Sequence, residues 1–205
     1  MMALCRGYRG LLLVAVALLP LALPLSTAMD PIGSYCTGTN YQGNGEAKAS
    51  INSVLTDLVA KGSTGGGFAT SSAGKDETLI YGLAQCRGDV SASDCSACLA
   101  DATNQLPTAC SYVSDARIWY DYCFVRYDNT DFVGQTDTGA GLILVNVQAE
   151  DDPKAFEKAV GKVMGKVAAQ ASASGSGGLG RAKDKYTPFV NIYGLAQCTR
   201  DLAPL

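Results

Sequence analysis

The sequence predicts an α+β fold, with helices packed on an antiparallel sheet. Three observations carry that expectation. One stretch places its apolar residues on a single helical face, and a later run is dense in β-branched and aromatic residues. Between them, Tyr81-Gly82-Leu83-Ala84-Gln85-Cys86 is followed by Cys95 and Cys98, a C-x8-C-x2-C spacing read as strand, polar turn and helix. The first half of that motif returns as Tyr193-Gly194-Leu195-Ala196-Gln197-Cys198, at a period of 112 residues.

The N-terminus sets the compartment. Arg6 and Arg9 precede an apolar run from Leu11 to Leu25, broken by Pro20 and Pro24, and Ser26-Thr27-Ala28 ends in a small-x-small pattern. Residues 1–28 read as a secretory signal peptide removed before folding. A spanning helix needs about 20 apolar residues, and no later stretch supplies them, so no transmembrane segment is expected in the mature chain.

The elements follow in order. Ser34-Tyr35-Cys36 is a first strand leading into a Gly/Asn-rich turn. From Glu46 to Lys61, Ile51, Val54, Leu55, Leu58 and Val59 recur at i, i+3, i+4, i+7 and i+8, one face of a core-packed helix stopped by Gly62. Gly65-Gly66-Gly67 turns the chain into a short strand, Phe68-Ala69-Thr70, and Thr78 to Gln85 is a longer one. Ser91 to Asp94 caps a helix that carries Cys95, Cys98, Leu99 and Ala102 and ends before Pro107. Asp115 to Asp128, with Ile118, Trp119, Tyr120, Tyr122, Phe124, Val125 and Tyr127, reads as one long strand or two with a bend.

After a polar linker at 135–141 the pattern restarts. Leu142 to Val147 is expected as a strand, and Asp152-Pro153 as the cap of a helix bearing Phe156, Val160, Val163, Met164 and Val167. A Gly/Ser loop from Ser172 to Gly180 precedes the repeated strand. The repetition reads as internal duplication, with domain 1 at 29–134 and a truncated second copy at 142–205. That copy lacks the cysteine helix and the long aromatic strand, and Gln148 stands where Cys36 would project.

Charge and composition exclude whole classes of function. Removing Arg6 and Arg9 takes the formal charge from −3 to −5, which argues against nucleic acid as a partner. No Asn-x-Ser/Thr sequon occurs. Histidine is absent, which removes Ser-His-Asp and Cys-His catalysis and the common zinc sites. Acid pairs such as Asp151-Asp152 serve as helix caps, and no pair of carboxylates is fixed for hydrolysis. No enzyme, cofactor or metal is expected.

Eight cysteines less Cys5 of the signal leave seven. Cys36, Cys86, Cys95, Cys98, Cys110 and Cys123 all lie in domain 1 and read as a three-bridge framework. Spacing alone leaves the pairing open, although Cys95 and Cys98, at i and i+3, suit two different partners. Cys198 is left over.

These residues resemble the ginkbilobin-homologous domain found in plant cysteine-rich repeat secretory proteins, plasmodesmata-located proteins and receptor-like kinase ectodomains. The similarity runs from Pro31 to Val133 and, truncated, from Leu142 to Leu205. It implies the bridges Cys86–Cys95, Cys98–Cys123 and Cys36–Cys110, and two helices on a five-stranded antiparallel sheet. Ginkbilobin is an antifungal, mannose-binding seed protein, and its three sugar-binding positions fall here on Thr37 (Asn in the family), Arg117 (identical) and Asp128 (Glu in the family). The expected role is therefore a secreted, apoplastic defence protein binding mannose or a fungal cell-wall glycan. The second reading is an extracellular module that recognises proteins, including receptors, located at plasmodesmata or the cell surface if the chain is a fragment.

Residue chemistry adds that Arg117 and Trp119, two apart, share a strand face, a guanidinium fork beside an apolar platform. Simple alternation places Asp128 on the opposite face unless the strand bends. The plainer reading makes Arg117 a solvated strand charge and Trp119 core.

Overall fold

The computed structural model describes residues 30–202; the expected signal peptide at 1–28 lies outside them. The chain runs β1 (Gly33–Asn40), α1 (Gly45–Thr64), β2 (Phe68–Ala73), β3 (Ile80–Cys86), α2 (Ala92–Ala109), β4 (Val113–Trp119) and β5 (Cys123–Asp128). The five strands form one antiparallel sheet in the order β1-β4-β5-β3-β2, covered on one face by α1 and α2. Then come α3 (Pro153–Ala171), β6 (Leu179–Lys185) and β7 (Asn191–Gln197), the last two paired as a separate hairpin under α3.

Local chemistry explains the helices. Asn44 caps α1, its Oδ1 accepting from Ala47 N at 3.0 Å, and the predicted stripe Ile51, Val54, Leu55 and Leu58 is buried. The stripe meets the helix-facing side of the sheet, where Ile80, Ala84, Ile118, Val125 and Tyr127 are almost fully buried. A Cβ at Gly82 would collide with Val54, so glycine there lets α1 approach β3. The duplicate does the same: a Cβ at Gly194 would stand 2.9 Å from Val163 and 3.0 Å from Val167 of α3.

Cysteines pin the second helix. Cys86 and Cys123 are direct partners across β3 and β5, and they bond to Cys95 and Cys98 of α2. Cys36 bonds to Cys110, closing a separation of 74 residues, a cross-link worth about 4 kcal/mol by the chain-entropy model.

The two units dock through a reciprocal contact. Gln85 Oε1 accepts from Arg200 N at 2.8 Å, and Gln197 Oε1 accepts from Gly88 N at 2.9 Å. Gln85 and Gln197 are the same position of the repeated motif, and 88 and 200 are each two past its cysteine. The contact is thus pseudo-two-fold, as in isologous interfaces. Gln85 Nε2 also donates to Cys198 O (2.9 Å) and Arg200 Nη2 to Gly66 O (2.8 Å).

Two expectations are corrected. The segment Leu142–Val147 forms no strand; Ile143, Leu144, Val145 and Val147 stand 86, 74, 73 and 93% exposed. In the first unit the corresponding β1 pairs with β4, and the described residues of the second unit hold no counterpart of β4. Helix α2 does not stop before Pro107 but runs to Ala109 with the proline buried inside it. In the last turn Pro107 gives up only one backbone donor, and its own carbonyl accepts from Tyr112 N at 2.9 Å. Of the two readings of Asp115–Asp128, the second holds: it is two strands, folded back on each other as a hairpin. Finally, β6 went unread because Arg181-Ala182-Lys183-Asp184-Lys185 carries no apolar alternation.

Two outcomes are expected. In native-state hydrogen exchange, amides of residues 143–148 exchange fast while β3 and β5 stay protected; protection of 143–148 would mean that the segment pairs after all. Gln85→Ala removes both bonds to residues 198–200, so small-angle scattering is expected to show a larger radius of gyration with the first unit's melting unchanged. An unaltered scattering profile would show that the docking stands without that amide.

Candidate functional site

The site lies on the face of the five-stranded sheet opposite the helices. Cross-strand register fixes which side chains share it: Thr37, Asp115, Asp128 and Tyr81 form one row, and Tyr35, Arg117, Arg126 and Leu83 the next. A third row holds Trp119, Phe124 and Gln85. Thr37, Arg117 and Asp128 therefore occupy one face on β1, β4 and β5. The condition under which Asp128 joins Arg117, a bend between them, is met by the hairpin. The turn after Trp119 folds β5 back on β4, so pairing replaces alternation along a single strand, and Asp128 sits opposite Asp115.

Arg117 is not a solvated charge. Its side chain is only 7% exposed, and it forks onto Asp115 with Nε to Oδ1 at 3.2 Å and Nη2 to Oδ2 at 3.0 Å. Asp137 comes over the face from the connecting segment and accepts at 2.8 Å from Arg117 and 3.1 Å from Arg126. Arg126 in turn holds Asp128 at 2.8 Å and lies 3.9 Å over the Phe132 ring. Burial opposes the charge on Arg117, but Asp115 and Asp137 outweigh it and raise its pKa. The Asp137 carboxyl is held below its ordinary value, first by the Gly139 N–H and then, against some desolvation, by the two arginines. Two guanidiniums face three carboxylates here, Asp115, Asp128 and Asp137, leaving the cluster one charge negative.

Sequence reasoning found Arg117, Asp128 and Trp119 and missed Asp115, Arg126 and Asp137. Arg126 and Asp115 carried a usable signal, because charges at i and i+2 of Asp128 and Arg117 must share their face. Asp137, in a polar linker, carried none. Thr37 is exposed at the rim of the cluster. Trp119 is half-buried and packs on Phe124, ring centroids 5.3 Å apart, on this outer face rather than in the core.

Next to the cluster is a cavity of about 440 Å³ between the sheet and the second unit. Trp119, Phe124, Arg117 and Arg126 line its floor, the connecting segment with Phe132 and Asp137 one side, and Leu195 to Leu202 the other. Gly134 N donates to Asp201 Oδ2 at 2.8 Å, tying those two sides together.

Residues 35–130 match the salt stress response/antifungal family. The chain is 44% identical to cysteine-rich repeat secretory protein 55 of Arabidopsis thaliana, over 94% of this chain and 75% of that one. It is 34% identical to an antimicrobial ginkbilobin-2-like protein of Castanea crenata, over 94% and 79% of the two. Its fold superposes on the tandem DUF26 ectodomain of the Arabidopsis receptor-like protein PDLP8 with a TM-score of 0.72 and 27% identity, covering 86% of this chain and 81% of that one.

Replacing Asp137 by Asn tests the bridge. A carboxylate whose pKa is depressed on folding stabilises above its unfolded value, about 3.9, and that contribution fades as pH falls through the lower folded value. Asp137→Asn is therefore expected to melt below the parent at pH 7, the gap narrowing below about pH 4. A gap that persists at pH 2.5 would show that the carboxylate's charge is not what Arg117 and Arg126 use.

Proposed function

The chain belongs to the salt stress response/antifungal family of cysteine-rich secretory proteins, and we propose that it is an extracellular, non-catalytic recognition protein of plant defence that binds carbohydrate. The observation that carries this is the convergence of Thr37, Arg117 and Asp128, on three adjacent strands, beside the Trp119–Phe124 aromatic pair. Aromatic faces beside a few fixed polar groups suit a sugar ring. The three disulfides support secretion; the described residues contain no helix long and apolar enough to cross a membrane.

Calorimetric titration of the oxidised chain with mannose, mannan oligosaccharides and chitosan oligomers tests the reading. Saturable binding weakened tenfold or more by Arg117→Ala, with all three disulfides intact, is the expected result. Flat traces with every sugar would remove it.

A second reading, a module recognising another protein, is favoured by a different observation. The apolar run Ile143 to Val147 is exposed, and β7 pairs on one edge only, whereas its duplicate β3 pairs on both. The likeness to a receptor-like ectodomain supports it.

A further inference from the structure

We infer that the cavity between the sheet and the second unit, rather than the rim at Thr37, is where this chain seats a neutral, polyhydroxylated ligand of mono- or disaccharide size. The class of ligand rests on the carbohydrate reading above; the place does not. Size fits first, since cavities of roughly 300–1,000 Å³ are typical of small-molecule sites and this one measures about 440 Å³.

Charge then selects the ligand. The lining holds Arg87, Arg117 and Arg126 against Asp121, Asp137 and Asp201, three of each sign. Arg87 is spent on Asp89 at 2.6 Å, and Arg117 and the two Nη atoms of Arg126 are spent on carboxylates, while Arg126 Nε is a buried donor without a hydrogen-bond partner among the described residues. An anion finds no free cation here, and a neutral molecule loses nothing.

Unused hydrogen-bonding capacity points the same way. Asp201 Oδ1 is buried without a partner among the described residues, and its other oxygen is taken by Gly134 N. A buried acceptor left unpaired is costly, and this carboxylate belongs to a residue of the cavity lining. The side-chain hydroxyls of Thr136 and Thr199, both in the lining, make no hydrogen bond among the described residues. Trp119 and Phe124 supply the apolar floor. At the rim, by contrast, Asp128 is already committed to Arg126 and to Thr130 N, which leaves Thr37 nearly alone.

The test uses the oxidised full chain, isotopically labelled, titrated with mannose, mannobiose and N,N′-diacetylchitobiose and followed by amide and indole NMR shifts. Shift changes are expected at the Trp119 indole, Gln135, Thr136 and Thr199. Leu195→Trp, at a position already 44% exposed, fills the cavity and is expected to weaken binding at least tenfold. Thr199→Val, which keeps the shape and removes a hydroxyl, is expected to weaken it several-fold even if the tryptophan variant misfolds. Saturable binding with shifts confined to Thr37, Tyr81 and Asp128, and unchanged in Thr199→Val, would overturn the cavity while leaving carbohydrate binding standing. No saturable shift with any of the three sugars would overturn both.

Discussion

Four sulfurs set the frame on which everything else depends. Cys86 and Cys123 are nearest neighbours across β3 and β5, two of the three inner strands, and Cys95 and Cys98 are one helical turn apart on α2. Two bonds between these adjacent pairs allow α2 only one position and one rotation over the sheet. Because β3 and β5 are then fixed in register, so is the outer face, where register sets the Arg117–Asp115 and Arg126–Asp128 pairs of β4 and β5 side by side. The ion cluster is a consequence of the sulfur frame, read out on the opposite side of the sheet.

That cluster changes what its residues can do. Arg117 and Asp128 look like ligand-binding groups when taken singly, yet each is engaged by a charge two residues away on its own strand, and Arg117 also by Asp137 of the connecting segment. A buried arginine fork held by two carboxylates orders the segment that crosses it, and so shapes the cavity wall beyond. Net stability from such a buried network is modest, because desolvation offsets much of the Coulomb attraction.

Much of the fold was legible because its signals are local. The stripe of α1 and the Asp152-Pro153 start of α3 appear as read, and the duplicated hexapeptide forms a strand in both units. What failed is non-local. Asp115 to Asp128 contains no glycine or proline to announce its turn, so one strand could not be told from two, and the facing of Asp128 stayed open with it. Leu142 to Val147 has every propensity of a strand, but propensity does not supply a partner, and its place in the first unit depends on β4. The cavity was invisible for the same reason: its walls come from residues 83 to 202, brought together by Gln85 and Gln197.

The repeated hexapeptide has one more use. Tyr81 lies half-buried inside a five-stranded sheet, while Tyr193, in the same six-residue sequence, is 71% exposed at the margin of a two-stranded one. Side-chain identity cancels between the two copies, so any difference in their carbonyl vibrational frequency, ring-flip rate or chemical shift reports environment alone. The chain carries its own matched reference, a host–guest comparison of strand context inside a single molecule.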